Sequence, residues 1–446
     1  MSGLPPPYRS SLHALPISGE SFLLCRGRYT VLVDGGYERN KVGSVLRENF
    51  PDLNHIDIVV CTHADQDHAE GLPSLLQDRS FSFGQVWLPG RWVDVLPELI
   101  RDPKGFMSGL VRELDELSDQ YSDREYDEVE EEDFAEILSD RVRRERSRAA
   151  NVPTERPRPA DDLPGEVPRD QIDRGDEVVD LGATEPLDEP SWFAELRVHA
   201  RGRESDGVAQ KAFKSARRSI HYRKNRPRRS LGAALATYWL GLVETAAAIR
   251  GIAEAAIQRG LRTRWFDYVA YSKVGVPAGG IPGFLVPINA VEQREPEQLE
   301  LSYLARLSPT NEASLAFFTP ATRRTPGVLF CGDSPLGDGP EYRNSFLDNR
   351  PEPWGPIVAT APHHGSENNR IAYKHIFRWS EVDVLLRAGG TKLQPGQTFK
   401  RMRCSLKLCA KCPQRGMLPV LAGVEGINRS LFWGAQFVRG LSCACR

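Results

Sequence analysis

The sequence predicts an α/β fold carrying a charged, partly helical insert and a cysteine-rich C-terminal tail. Three observations point to it. Apolar runs of strand length, such as Ile56-Asp57-Ile58-Val59-Val60 and Gly327-Val328-Leu329-Phe330, recur on either side of helix-length stretches. Several of these runs end directly in His- and Asp-bearing loops, as strand ends that carry chemistry do. Between them the composition shifts: residues 113–140 are dominated by Asp and Glu, 141–148 are strongly basic, and 151–190 are rich in Pro, Asp and Arg.

Taken in order, the opening Met-Ser-Gly-Leu-Pro-Pro-Pro lacks the charged and apolar regions of a signal peptide and reads as a disordered lead-in. Residues 21–36 form two short apolar strands around Gly27, a hairpin closed by Asp34-Gly35-Gly36. A helix over 41–50 leads to the strand at 56–60, and 83–89 supply another strand. Order resumes after the insert with an Ala-rich helix over 231–259, which Gly260 caps. Strands are expected at 262–268, 284–291, 311–318, 327–331, 357–361, 382–386 and 418–422. Residues 1–95 and 231–395 thus read as two halves of one domain, 96–230 as a partly disordered insert, and 396–446 as a cysteine-containing segment.

Composition excludes some classes. The 58 basic residues against 60 acidic ones leave a formal charge of -2, so no global field marks a nucleic-acid or membrane binder. The best apolar run, residues 231–243, stops at Glu244, well short of the roughly 18 residues a span requires. A cytoplasmic protein is expected. Residues 214–229 contain no acid, so they either touch phosphates or form a solvated face that balances the acidic stretch upstream. The insert is also a candidate surface for a protein partner.

The chemistry concentrates in Cys61-Thr62-His63-Ala64-Asp65-Gln66-Asp67-His68. Two imidazoles and two carboxylates within six positions can turn inward together only if something offsets their desolvation and mutual repulsion, as a divalent cation does. A polar loop opening a helix, with Asp67 near its N-terminus, is the plainer alternative. Two more strand ends bear candidate ligands: Asp333 in Gly332-Asp333-Ser334, and His363 and His364 in Pro362-His363-His364-Gly365-Ser366. Ligands gathered from separate strand ends are how an α/β scaffold builds a rigid site.

These motifs resemble the metallo-β-lactamase fold hydrolases, and in particular the hydrolase domain of ComEC-type DNA-uptake proteins. That domain has a His-x-Asp-x-Asp-His loop, an Asn-x-x-Ser-Leu strand, a Gly-Asp turn and a Pro-His-His-Gly-Ser loop. Here they stand in the same order at residues 62–68, 311–315, 331–333 and 362–366. The resemblance covers about residues 17–95 and 230–390, leaving the insert and tail outside. It implies a four-layer αβ/βα sandwich and a pair of metal ions held by His63, Asp65, Asp67, His68, Asp333 and one of His363 and His364. It further implies that Asp333 bridges the ions and that Asp34 is a buried residue orienting the metal loop. Asp65 stands where most relatives have an imidazole, and no histidine follows a clear strand in mid-chain. More oxygen ligands make the site harder, so Mn²⁺ or Mg²⁺ rivals Zn²⁺.

Two divalent ions lower the pKa of a bound water and polarise the bond under attack, which makes hydrolysis the expected reaction and phosphodiesters of nucleic acids or nucleotides the expected substrates. Asp67, His363 and His364 are the candidate catalytic residues. Hydrolysis of a lactone, thioester or β-lactam uses the same chemistry, and a non-catalytic scaffold is the alternative from another class. Gly365, Ser366 and Asn368 either hold a phosphate oxygen or form a tight turn. In the tail, Cys404, Cys409, Cys412, Cys443 and Cys445 offer a structural zinc site or stay unpaired thiols; Cys409-Ala-Lys-Cys412 forms one knuckle, but Cys443-Ala-Cys445 is too tight for a second. Asp67→Ala is expected to abolish metal content and activity together while the protein stays folded. Elemental analysis checks it, and equal metal in both proteins would remove Asp67 from the site.

Overall fold

The computed structural model describes residues 10–39, 41–122, 131–151, 190–200, 204–224, 233–308, 310–322, 325–348, 350–353, 355–390, 394–404, 406–411, 420–429, 432–439 and 441–442. Its strands are β1 (Ser10–Ala14), β2 (Phe22–Arg26), β3 (Tyr29–Val33), β4 (His55–Val60), β5 (Ser82–Pro89), β6 (Arg262–Asp267), β7 (Val286–Pro287), β8 (Val291–Glu292) and β9 (Phe317–Thr319). They continue as β10 (Gly327–Phe330), β11 (Gly337–Asp338), β12 (Asn344–Ser345), β13 (Ile357–Thr360), β14 (Val382–Arg387), β15 (Leu406–Cys409), β16 (Ala422–Arg429), β17 (Phe432–Arg439) and β18 (Leu441–Ser442). The fold is mixed α/β.

One sheet runs β17-β16-β1-β2-β3-β4-β5-β6-β8 and a second β18-β15-β14-β13-β10-β9-β7. The middle of each is parallel, β3 through β6 in the first and β10, β13, β14 and β15 in the second. Antiparallel strands flank both blocks. Side chains alternate across each strand, and that alternation divides the interior. Val31 and Val33 of β3 meet Val328 and Phe330 of β10 in a core between the sheets. Leu32 faces outward onto helices Lys41–Asn49, Leu72–Gln77 and Ala233–Gln258, while Leu329 faces the opposite way onto helix Arg370–Trp379. The long helix ends as expected, with Gly260 at a φ of 64°.

The insert joins this core. Helices Pro103–Ser122, Glu131–Ala149, Ser191–Ala200 and Glu204–Lys224 bury Phe106, Leu110, Leu138, Phe193 and Ile220 in the cluster that covers the first sheet. Residues 152–189, where a flexible segment is expected, lie outside the described residues. Within the basic stretch, Arg217 grips Glu244 at 2.5 and 2.7 Å and Arg223 grips Asp115 at 2.6 and 2.7 Å, so these two arginines serve contacts within the chain.

Three expectations need correction. Residues 284–291 are not one strand: Val286–Pro287 pairs in the second sheet and Val291–Glu292 in the first. Pro287 lacks an amide donor, and buried Asn289 between them bonds Ser314 O and Ala316 N as the chain crosses over. Residues 311–313 form a 3-10 turn, and strand β9 begins only at Phe317. The expected lead-in, residues 1–7, lies outside the described residues; β1 begins at Ser10 and pairs both β2 and β16. The tail likewise belongs to the fold, since β15 extends the second sheet and β16 the first; Ala422 opens β16, whereas residues 412–419 lie outside the described residues. Among the described residues no helix is long and apolar enough to cross a membrane.

Leu408, in β15, is fully buried between the sheets. Leu408→Ala is expected to destabilise the protein by about 2–5 kcal/mol, read from urea denaturation; an unchanged midpoint would detach the tail from the core.

Candidate metal centre

Every predicted ligand lies at the carboxyl end of a strand, and the two sheets bring those ends together. His63, Asp65, Asp67 and His68 follow β4, Asp333 follows β10, and His363 and His364 follow β13. Two backbone hydrogen bonds hold these loops: Leu315 N, ahead of β9, donates to Thr62 O at 3.0 Å, and His363 N donates to Gly332 O at 3.0 Å. Asp34, His363 and His364 all adopt positive φ, between 47° and 62°. Left-handed backbone at non-glycine residues is held only where the surroundings over-determine it; here it turns these side chains into the space between the sheets.

The partners of each imidazole determine which nitrogen faces the centre. His68 donates from Nδ1 to Asp34 Oδ2 at 2.8 Å, and its Nε2 faces Asp333 Oδ1 at 3.2 Å. Thr62 donates its hydroxyl to Asp34 Oδ2 at 2.7 Å and therefore accepts from His63 Nδ1 at 3.0 Å. His63 Nε2 is left 3.3 Å from Asp65 and 3.7 Å from Asp333. His364 donates from Nδ1 to the Ala388 carbonyl at 3.0 Å, and its Nε2 meets Asp67 Oδ2 at 2.9 Å. Three rings thus present Nε2 inward. His363 differs: Asn311 Nδ2 donates to its Nδ1 at 3.2 Å, so the neutral ring carries its proton on Nε2, 3.5 Å from Asp333 Oδ2.

Asp34 fulfils its expected structural role, since it also accepts from Thr62 N at 2.8 Å and is fully buried. Further polar residues brace the loops. Ser314 Oγ accepts from Asp333 N at 3.0 Å, and Asn369 Nδ2 donates to Asp333 O at 2.7 Å. Ser366 Oγ accepts from Asn368 N at 3.3 Å, which makes that segment the tight turn weighed above.

Two groups of donors could each hold an ion. His63, Asp65 and Asp333 form one; Glu20, His68, Asp333 and His364 form the other, with donor atoms in each lying within 4.8 Å of one another. Asp333 belongs to both. The buried atoms His63 Nε2, His68 Nε2, Asp333 Oδ1 and Glu20 Oε2 all lack a hydrogen-bond partner. Buried polar atoms are seldom orphaned, and four of them converging on two small volumes fit cations. Glu20 is the site residue the sequence reading missed; a single acid ahead of an apolar strand carries no spacing signal.

The electrostatics agree. Burial works against the charged form of His68, but Asp333 and Asp34 outweigh it and hold the ring well above the usual histidine range. Burial would likewise raise Asp333, yet His68 and His363 hold it well below the carboxylate range. His364 is pushed up to about 9, because Asp67, Asp333 and Glu20 overcome its burial. Burial pushes Glu20 up to about 7.

A cavity of about 620 Å³ opens onto the centre between Asp65, Asp67, His363 and His364 on one side and Tyr238, Leu242 and Thr245 of the long helix on the other. This lies within the size range of small-molecule sites. Of the tail cysteines only Cys404 and Cys409 are among the described residues. Cys404 Sγ donates to Leu406 O at 3.4 Å, Cys409 is buried, and neither joins a candidate metal group; Cys412, Cys443 and Cys445 lie outside the described residues. Comparison with known proteins finds no family and no curated protein that matches this chain.

Protons held by His364 and Glu20 stabilise the metal-free fold. The Glu20 contribution is lost as pH rises from 4.5 through about 7, and that of His364 as it rises from 6.5 through about 9. The thermal midpoint of chelator-treated protein is therefore expected to fall across this range while apparent metal affinity rises, because the same protons compete with the ion. Calorimetry at several pH values checks both slopes.

Proposed function

We propose that this chain is a metal-dependent hydrolase of the metallo-β-lactamase fold, acting on phosphodiesters of nucleic acids or nucleotides. The observation that carries the reading is the pair of donor groups sharing Asp333 at the floor of a cleft. Two sheets around one core, with helices on both outer faces, agree with that fold. Zn²⁺ and Mn²⁺ both suit the donors, and bound as a pair they supply Lewis acidity and an activated water.

The chain's own residues do the rest. His63, Asp65, Asp67, His68, Asp333 and His364 are the ligands, and Asp34 and Thr62 hold the rings of His68 and His63 so that Nε2 points inward. His363 acts as the general acid. Its side chain is 25% exposed and lines the cleft, and Asn311 keeps its proton on Nε2, from where it can pass to a leaving oxygen. Phosphodiesters are favoured because two ions held by these residues would suit displacement at phosphorus and because carboxylates contribute heavily to the donor set.

His363→Ala is expected to lower kcat by about 10²–10⁴-fold with metal content retained, whereas His364→Ala is expected to lose metal as well. Equal metal loss in both variants would move His363 into the ligand set. Metal-supplemented turnover of bis-p-nitrophenyl phosphate, single-stranded DNA and nitrocefin, run side by side, tests the substrate class. Cleavage of nitrocefin alone would overturn the phosphodiester assignment.

A further inference from the structure

We infer that Glu20 is a direct ligand of the inner metal position, a role that rests on the metal-centre reading above. The residue is 1% exposed, and its Oε2 has no hydrogen-bond partner although it lies 3.5 Å from His364 Nδ1. Its carboxylate completes a set of four donors with His68, Asp333 and His364, every member of which is buried. The backbone leaves it little freedom to turn away. Glu20 N donates to Asp67 O at 2.7 Å, and Glu20 O accepts from Gly36 N at 2.9 Å, so the residue is fastened to both the metal loop and the Asp34 turn. The preceding Gly19 has a φ of 84°, and a Cβ there would lie 2.2 Å from Asp67 O; this is a backbone path that only glycine takes.

The charge balance makes the same demand. The ionisable neighbours acting on Glu20 are His68, His364, Asp333 and Asp34. No lysine or arginine among the described residues pairs with it. A carboxylate brought into a dry space beside two others is costly unless a cation coordinates it, and the unpartnered Oε2 is the atom available to do so. With Glu20 included, carboxylates outnumber imidazoles in the whole ligand set, a balance that favours Mn²⁺ over Zn²⁺ relative to a histidine-rich centre.

The test is a titration of the chelator-treated full chain with Mn²⁺, following free Mn²⁺ by electron paramagnetic resonance. Wild type is expected to take up two equivalents and E20Q only one at wild-type affinity, its second site weakened at least tenfold. The bound pair in wild type should show spin coupling, and E20Q an isolated-ion spectrum. Circular dichroism of the metal-free proteins checks folding. Should E20Q fail to fold, E20D, which keeps the charge but withdraws the donor by one methylene, decides on the same titration and is expected to weaken the second equivalent. Two equivalents at wild-type affinity in the folded variant would overturn the role of Glu20 alone. Failure of wild type to bind either Mn²⁺ or Zn²⁺ would overturn the metal centre and the proposed function with it.

Discussion

Carboxylates and imidazoles crowd into one dry volume at the rims of two sheets, and the surrounding structure is arranged around their charge. Asp34, Asp333 and Glu20 are all buried there, against His63, His68 and His364. An uncompensated charge in such a place costs several kcal/mol. Part of the compensation is visible in hydrogen bonds: the Asp34 carboxylate takes one from His68 and two from Thr62. The remainder falls on atoms left without partners, and those atoms face one another. That pattern is what a cation site looks like from the side of its ligands.

The backbone around the centre follows from this demand. Three non-glycine residues accept left-handed conformations, and main-chain hydrogen bonds tie the loop after β4 to the segment before β9 and the loop after β10 to that after β13. Such strain persists because several contacts fix each residue at once. The insert contributes to the same end, although its charged composition suggests a separate appendage. Its helices share the core that covers the first sheet, and Ser139 of the insert lines the cleft together with Tyr238 and Leu242 of the long helix that follows it. A surface that would otherwise be open above the ligands is thereby walled.

Legibility in the sequence tracked the range of the interactions. The hairpin over β2 and β3, strands β4 and β5, and the long capped helix were readable because apolar alternation and a glycine cap are local signals. Residues 284–291 and 311–318 were misread because their apolar content serves two sheets and a turn, and no local pattern records which. The tail was misjudged for a related reason: β16 finds its partner in β1, about 400 residues earlier along the chain. Composition made the insert look independent because its polar face dominates the count, while the buried stripe of Phe106, Leu110 and Leu138 is a minority of its residues.

By itself the sequence determined the candidate donors other than Glu20, their placement at three strand ends, and an orienting role for Asp34. Those features depend on residue type and on spacing over a few positions, which the chain carries in its order. Tertiary structure alone decided which donors converge, that His364 meets Asp67 while His363 lines the cleft, and that Glu20 lies among the buried donors. His364 and Asp67 are 297 residues apart, and their 2.9 Å contact exists only because two separately paired sheets close on one core.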